Sequence, residues 1–150
     1  MQLSPNFSLE VLVRSDTARR LGIDNQPSRP DLANLRRLAA CLEEVRALLD
    51  APLVISSAYR SPALNEAVGG APGSRHRLGL AADFTCPGFG PPLAVARAIA
   101  ASPIAFDQLI HEFGRWVHLG LAPAHAQTRR QLLTIRSAAL GYEDGLNAIT

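Results

Sequence analysis

His76, Asp83 and His118 are the residues in this sequence whose types and spacing best fit metal chemistry. Six residues separate the first two, in S-R-H-R-L-G-L-A-A-D, and His118 follows Asp83 by 35 positions, in R-W-V-H-L. Two imidazoles and one carboxylate can hold Zn²⁺ and leave a coordination position open for water, the arrangement of a catalytic rather than a structural zinc site. An aspartate inside the apolar run L-A-A-D-F is informative in itself, because a buried carboxylate is costly unless it is paired or ligates a metal. The competing reading pairs Asp83 with an arginine and leaves His76 on a surface loop and His118 as a hydrogen-bonded core residue. Two other zinc patterns fail. His111-Glu112 starts an H-E-x-x-H match, but Arg115 stands where the second histidine must be. No P-C-x-x-C accompanies the histidines, which removes the deaminase pattern.

The elements that must position these residues can be read from periodicity and punctuation. Short helical turns are expected after Ser8 and Ser15, the second closed by Gly22, followed by a loop from Ile23 to Pro30. Leu32, Leu35, Leu38, Leu42, Val45 and Leu49 recur at spacings of three and four, which predicts an amphipathic helix over 31–49. Ser28 with Asp31 resembles a capping box, and Pro30 suits a first turn. P-L-V-I-S-S (52–57) predicts a strand that delivers Tyr59 and Arg60, and Ser61-Pro62 opens a short helix that Gly69-Gly70 ends. A loop over 71–75 precedes a strand over 80–85 carrying Asp83, and 93–101 predicts an Ala-rich helix. Runs 106–111 and 116–121 flank Phe113-Gly114 as an antiparallel hairpin, and 131–135 predicts one more strand, with the tail packed on the sheet. The fold class expected is α+β, a small antiparallel sheet flanked by helices, in one domain over 1–150.

Composition removes several classes. With 47% hydrophobic and 19% charged residues the chain is that of a globular protein. A formal charge of +2, carried by scattered arginines and no lysine, gives no reason to expect nucleic acid. No apolar run approaches the ~18 residues a membrane span needs. The first residues lack a basic stretch followed by an apolar core, so no signal peptide is expected. Cys41 and Cys86 have no metal-binding spacing and read as small buried hydrophobes.

The stretches S-A-Y-R-S-P-A-L-N-E-A-V-G-G, S-R-H-R-L-G-L-A-A-D, F-D-Q-L-I-H-E and W-V-H-L together resemble the M15 zinc peptidases, which include D-alanyl-D-alanine carboxypeptidases and bacteriophage peptidoglycan endopeptidases. The N-terminal F-S-L-E and R-S-D-T-A-R-R-L-G-I-D-N resemble the phage-type branch, so the likeness spans roughly 6–121. It implies the hedgehog-like α+β fold of D-alanyl-D-alanine peptidases, with Zn²⁺ held by His76, Asp83 and His118. It also implies that Arg60 holds a substrate carboxylate and that Ser74 supports or contacts substrate, while Gln108 falls in the pattern without a role. Branches that place an acidic residue three before the last histidine, or a histidine two before it, are not matched here, where Arg115 and Trp116 stand. Glu112, six before His118, fits the phage-like spacing of the catalytic base. A two-residue turn at Phe113-Gly114 would instead put His111 on the face of His118, so His111 is the alternative base.

The activity implied is zinc-dependent hydrolysis of an amide in peptidoglycan peptides by a monomeric, endolysin-like enzyme made in the cytoplasm and acting on the cell wall after release, as in a phage or prophage. The alternatives are a D-alanyl-D-alanine carboxypeptidase or dipeptidase, and a zinc-containing wall-binding module without turnover.

Overall fold

A computed structural model describes residues 1–150. Strands β1 (Gln2–Ser4) and β2 (Phe7–Ser8) form a small N-terminal ribbon, too short to show a strand pattern in the sequence, ahead of helices α1 (Leu9–Val13) and α2 (Asp16–Leu21). Ser8 and Ser15 cap these helices through their hydroxyls, and Gly22 closes α2 with a left-handed φ of 68°. Helix α3 (Arg29–Leu49) starts two residues earlier than periodicity indicates. The Ser28 hydroxyl accepts from Asp31 N, but the Asp31 carboxylate does not close a capping box; it accepts instead from the Tyr59 hydroxyl at 3.2 Å.

Strand β3 (Val54–Ser57), helix α4 (Pro62–Ala67), a 3₁₀ turn (Arg75–Leu78), strand β4 (Ala81–Thr85) and helix α5 (Pro92–Ala100) follow. Strands β5 (Gln108–Glu112), β6 (Trp116–Gly120), β7 (Gln131–Ile135) and β8 (Tyr142–Asp144) complete a six-stranded sheet in the order β3-β4-β6-β5-β7-β8. The class is α+β. The sheet is not wholly antiparallel: β5 and β7 run parallel, because the chain between β6 and β7 crosses back before re-entering the sheet. The tail adds the edge strand β8, which has too little alternation to be read from sequence.

The pleat sorts the sheet into two faces. Ala82, Phe84, Val117, Leu119 and Leu109 point to one side and join Leu35, Leu38, Leu42 and Val45 of α3 and Val95 and Ile99 of α5 in a single core. Cys41 and Cys86 are buried in this core as free thiols, and burial pushes the Cys41 thiol up to about 12. The opposite face carries Asp83, His118, Ile110 and Leu133 in one directly paired row. No helix is long and apolar enough to cross a membrane.

Gly79 joins the turn to β4 at φ 73°, and a Cβ there would lie 2.7 Å from the Asp31 carbonyl oxygen and 3.0 Å from Leu35 Cγ. Both the left-handed backbone and the contact with α3 exclude a side chain, which fixes His76 relative to Asp83. Gly79→Ala is expected to cost about 2–5 kcal/mol, the sum of an αL penalty and overpacking, and to lower the melting temperature. An unchanged melting curve would mean that the turn is not pinned against α3.

Candidate metal centre

The ligand candidates come from three elements that meet on the open face of the sheet. Asp83 lies opposite His118 in the β4–β6 pairing, and the two contact directly, His118 Nδ1 standing 2.8 Å from Asp83 Oδ1. His76, on the 3₁₀ turn, places Nε2 3.3 Å from Asp83 Oδ2. One donor atom from each residue lies within 4.8 Å of the others. The His76 ring is held from behind: its Nδ1 is 2.6 Å from the Ala58 carbonyl. Donation to that oxygen puts the proton on Nδ1 and leaves the Nε2 lone pair facing Asp83, the usual support of a metal-bound imidazole. The Ser74 hydroxyl accepts from His76 N and caps the turn.

Electrostatics matches the geometry. Burial pushes His76 down towards the neutral form that a metal needs. Burial alone would raise Asp83, but the hydrogen bond from His118 and the surrounding imidazoles outweigh it and hold the carboxyl far below the usual range. Burial also opposes charge on His118, yet the Asp83 bond and the Asp83 and Glu112 carboxylates shift it upward on balance. Two nitrogens and one oxygen, buried and convergent, fit Zn²⁺ with a position to spare.

Glu112 is on the same face. The hairpin turn has three residues, Phe113, Gly114 and Arg115, with positive φ at the first two, so that Glu112 pairs with Trp116 and Ile110 with His118. The third residue reverses the side that a two-residue turn would present. Glu112 Oε1 lies 3.7 Å from His118 Nδ1, and Oε2 accepts from the Trp116 indole at 3.0 Å. Burial raises the Glu112 carboxyl, and Asp83 adds to this, while His118 and the indole bond pull the other way. His111 faces the core side, where Nδ1 is 3.0 Å from the Asn147 carbonyl. It is therefore neither an exposed turn residue nor close to the ligand set.

Arg60 is held by Ser57 Oγ and Asn65 Oδ1, both at 3.2 Å, with Nη2 3.7 Å from Asp83 Oδ2. A cleft of about 480 Å³ contains Arg60, Ser74, Gln108, Glu112 and all three ligand candidates. A second, of about 410 Å³, shares Arg60 and Asp83 and is also lined by Thr17, Tyr59 and Trp116. Gln108 donates to Gln131 Oε1 at 2.9 Å. Asn65, Trp116, Tyr142 and the cluster of Asp107, Arg75 and Arg129 were missed in the sequence. Asp107 was findable, since F-D-Q-L sets a carboxylate in an apolar run just as L-A-A-D-F does.

A family model for peptidase M15 matches residues 5–120. The chain belongs to the M15 peptidase family. No curated protein sequence matches it. The matched span contains His76, Asp83, Glu112 and His118 but ends before β7 and β8, so the C-terminal side of the cleft lies beyond it. Asp83→Ala is expected to weaken Zn²⁺ binding at least about 100-fold in a chelator competition, more than loss of a supporting contact, while Glu112→Gln stays within about threefold. Equal losses in both would make Glu112 a ligand.

Proposed function

We propose that this M15 peptidase is a zinc enzyme that hydrolyses an amide within peptidoglycan peptides. The observation that carries the reading is Glu112, 3.7 Å from His118 beside three convergent ligand atoms in an open cleft. His76 Nε2, an Asp83 oxygen and His118 Nδ1 would hold Zn²⁺, which supplies Lewis acidity for a water and the scissile carbonyl. Glu112 takes the proton of the attacking water and returns it to the leaving amine, a task suited to a carboxyl that burial has made more basic. Trp116 fixes Oε2 and leaves Oε1 turned to the site. Arg60, steadied by Ser57 and Asn65, holds a substrate carboxylate, and Ser74 supports the turn that carries His76.

Arg60 and Asp83 line both clefts, which leaves open space on either side of them for a longer peptide. This favours an endopeptidase over a carboxypeptidase or dipeptidase that removes terminal D-alanine. The wall as target, and release of the protein to it from a phage or prophage setting, rest on the sequence resemblance.

Zinc-loaded protein incubated with purified sacculi is expected to release soluble peptides, detected by mass spectrometry. Release is lost with chelator and restored by Zn²⁺. Glu112→Gln lowers the rate about 10²–10⁴-fold with metal content unchanged, and His111→Gln stays within about fivefold. Free D-alanine as the sole product would replace the endopeptidase with a carboxypeptidase. Binding to sacculi without any release would replace the enzyme with a binding module.

A further inference from the structure

Asp107 is 2% exposed and lies immediately before β5. Two guanidiniums from distant parts of the chain hold it. Arg129 binds through Nε to both carboxylate oxygens and through Nη2 at 2.8 Å, and Arg75 Nη2 stands 3.4 Å away. Arg75 is further fixed by donation from Nη1 to the Leu121 carbonyl at 2.5 Å. Both arginines remain partly exposed, at 31% and 55% of the side chain, and both line the cleft that contains the ligand candidates. Their remaining N–H groups are thus pre-oriented at its wall. Asp107 carries one negative charge against their two positive ones, so the cluster keeps a net positive charge.

Its position is on the other flank from Arg60. In the sheet order, Asp83 and His118 occupy β4 and β6, Arg60 is tied to Ser57 on β3, and Asp107 leads into β5. Asp107 N donates to the Gly120 carbonyl, two residues along β6 from His118. At the rise of an extended chain this sets the cluster about 7–10 Å from the metal row, or two to three substrate residues. Across the whole cleft, Arg60, Arg75 and Arg129 balance Asp83, Asp107 and Glu112. A divalent cation on the ligand set therefore leaves the occupied cleft at +2, which favours an anionic ligand.

We propose that Arg75 and Arg129 form a second carboxylate subsite, so that the substrate is a peptide with an acidic group two to three residues from the scissile amide, on the flank away from Arg60. The inference rests on the peptidase reading and adds the substrate class. Arg129 is the specificity-determining residue, because it is the more exposed of the two and its Nη1 is left over from the Nε and Nη2 bonds to Asp107, while Arg75 Nη1 is tied to Leu121. Arg129 lies outside the span that the family model covers.

The test uses zinc-loaded Glu112→Gln protein, which retains ligand for a binding measurement, and a soluble peptidoglycan stem peptide with its carboxylates free or amidated one at a time. Binding is read by calorimetry and by fluorescence of Trp116, the single tryptophan. Amidation of one carboxylate, distinct from the one whose effect disappears in Arg60→Gln, is expected to weaken binding about tenfold or more, as for a charge-assisted contact. Adding Arg129→Gln should reduce that effect to less than about twofold, with an intermediate effect for Arg129→Lys, which keeps a cation on Asp107. The melting temperature of each variant separates loss of folding from loss of the subsite, and the amidation series in the Arg129 background needs no variant there. An undiminished amidation effect in Arg129→Gln overturns the proposal, as does a series in which only the Arg60-dependent carboxylate matters, or no binding at all. Carboxylate-dependent binding by a protein that cleaves no wall peptide would support the subsite and overturn the peptidase reading. Cleavage with binding indifferent to amidation would do the reverse.

Discussion

A carboxylate buried in the middle of an apolar strand is the constraint on which the rest of the molecule depends. Asp83 is 6% exposed, and an uncompensated charge at such a depth costs several kcal/mol. Two imidazoles compensate it, and each must be brought to it by a different device. The pleat of β4 and β6 sets His118 directly opposite. The 3₁₀ turn brings His76, and that turn exists because Ser74 caps it and Gly79 can lie against α3 without a side chain. Removal of any one device leaves a buried charge or a misplaced ring, so the cluster and the local fold are stabilised together. The same feature makes the cluster a candidate metal site: donors assembled around one anion are suited to a divalent cation.

Alternation across the sheet then divides the labour. One face builds the core against α3 and α5, and the other holds all the candidate chemistry. A single residue in the β5–β6 turn decides which acid or base joins the site. Two turn residues would present His111; with three, Glu112 faces His118, and Trp116 orients it. Positive φ at Phe113 as well as at Gly114 is what allows the longer turn. Phe113 is anchored in that strained conformation by a hydrogen bond from its N–H to the Ile135 carbonyl and by an edge contact with Trp116.

Local signals made much of this legible in the sequence. The heptad-like leucines of α3, the serine caps, the closing glycines and the strand containing Asp83 are encoded within a few residues and appear where the pattern puts them. His76, Asp83 and His118 could be proposed together because each has an unusual neighbourhood for its type. Parallel pairing of β5 with β7 was not legible, since it depends on where a long connection returns and not on either strand's own pattern. Strand β8 has three residues with no alternation to see. The length of the hairpin turn was ambiguous because Phe113 is an improbable residue at positive φ. The Asp107 cluster escaped for a different reason: its partners Arg75 and Arg129 are far apart in sequence, and each looks like an ordinary surface arginine until the sheet brings them together.

The most direct measurement is zinc K-edge X-ray absorption of the loaded protein. The expected result is one zinc per chain with two imidazole nitrogens and one carboxylate oxygen at roughly 2.0–2.2 Å, plus a further light atom from solvent. The Asp83→Ala protein should lose this pattern. A sulfur scatterer near 2.3 Å, or a shell filled by four protein side chains, would contradict an open His76–Asp83–His118 centre.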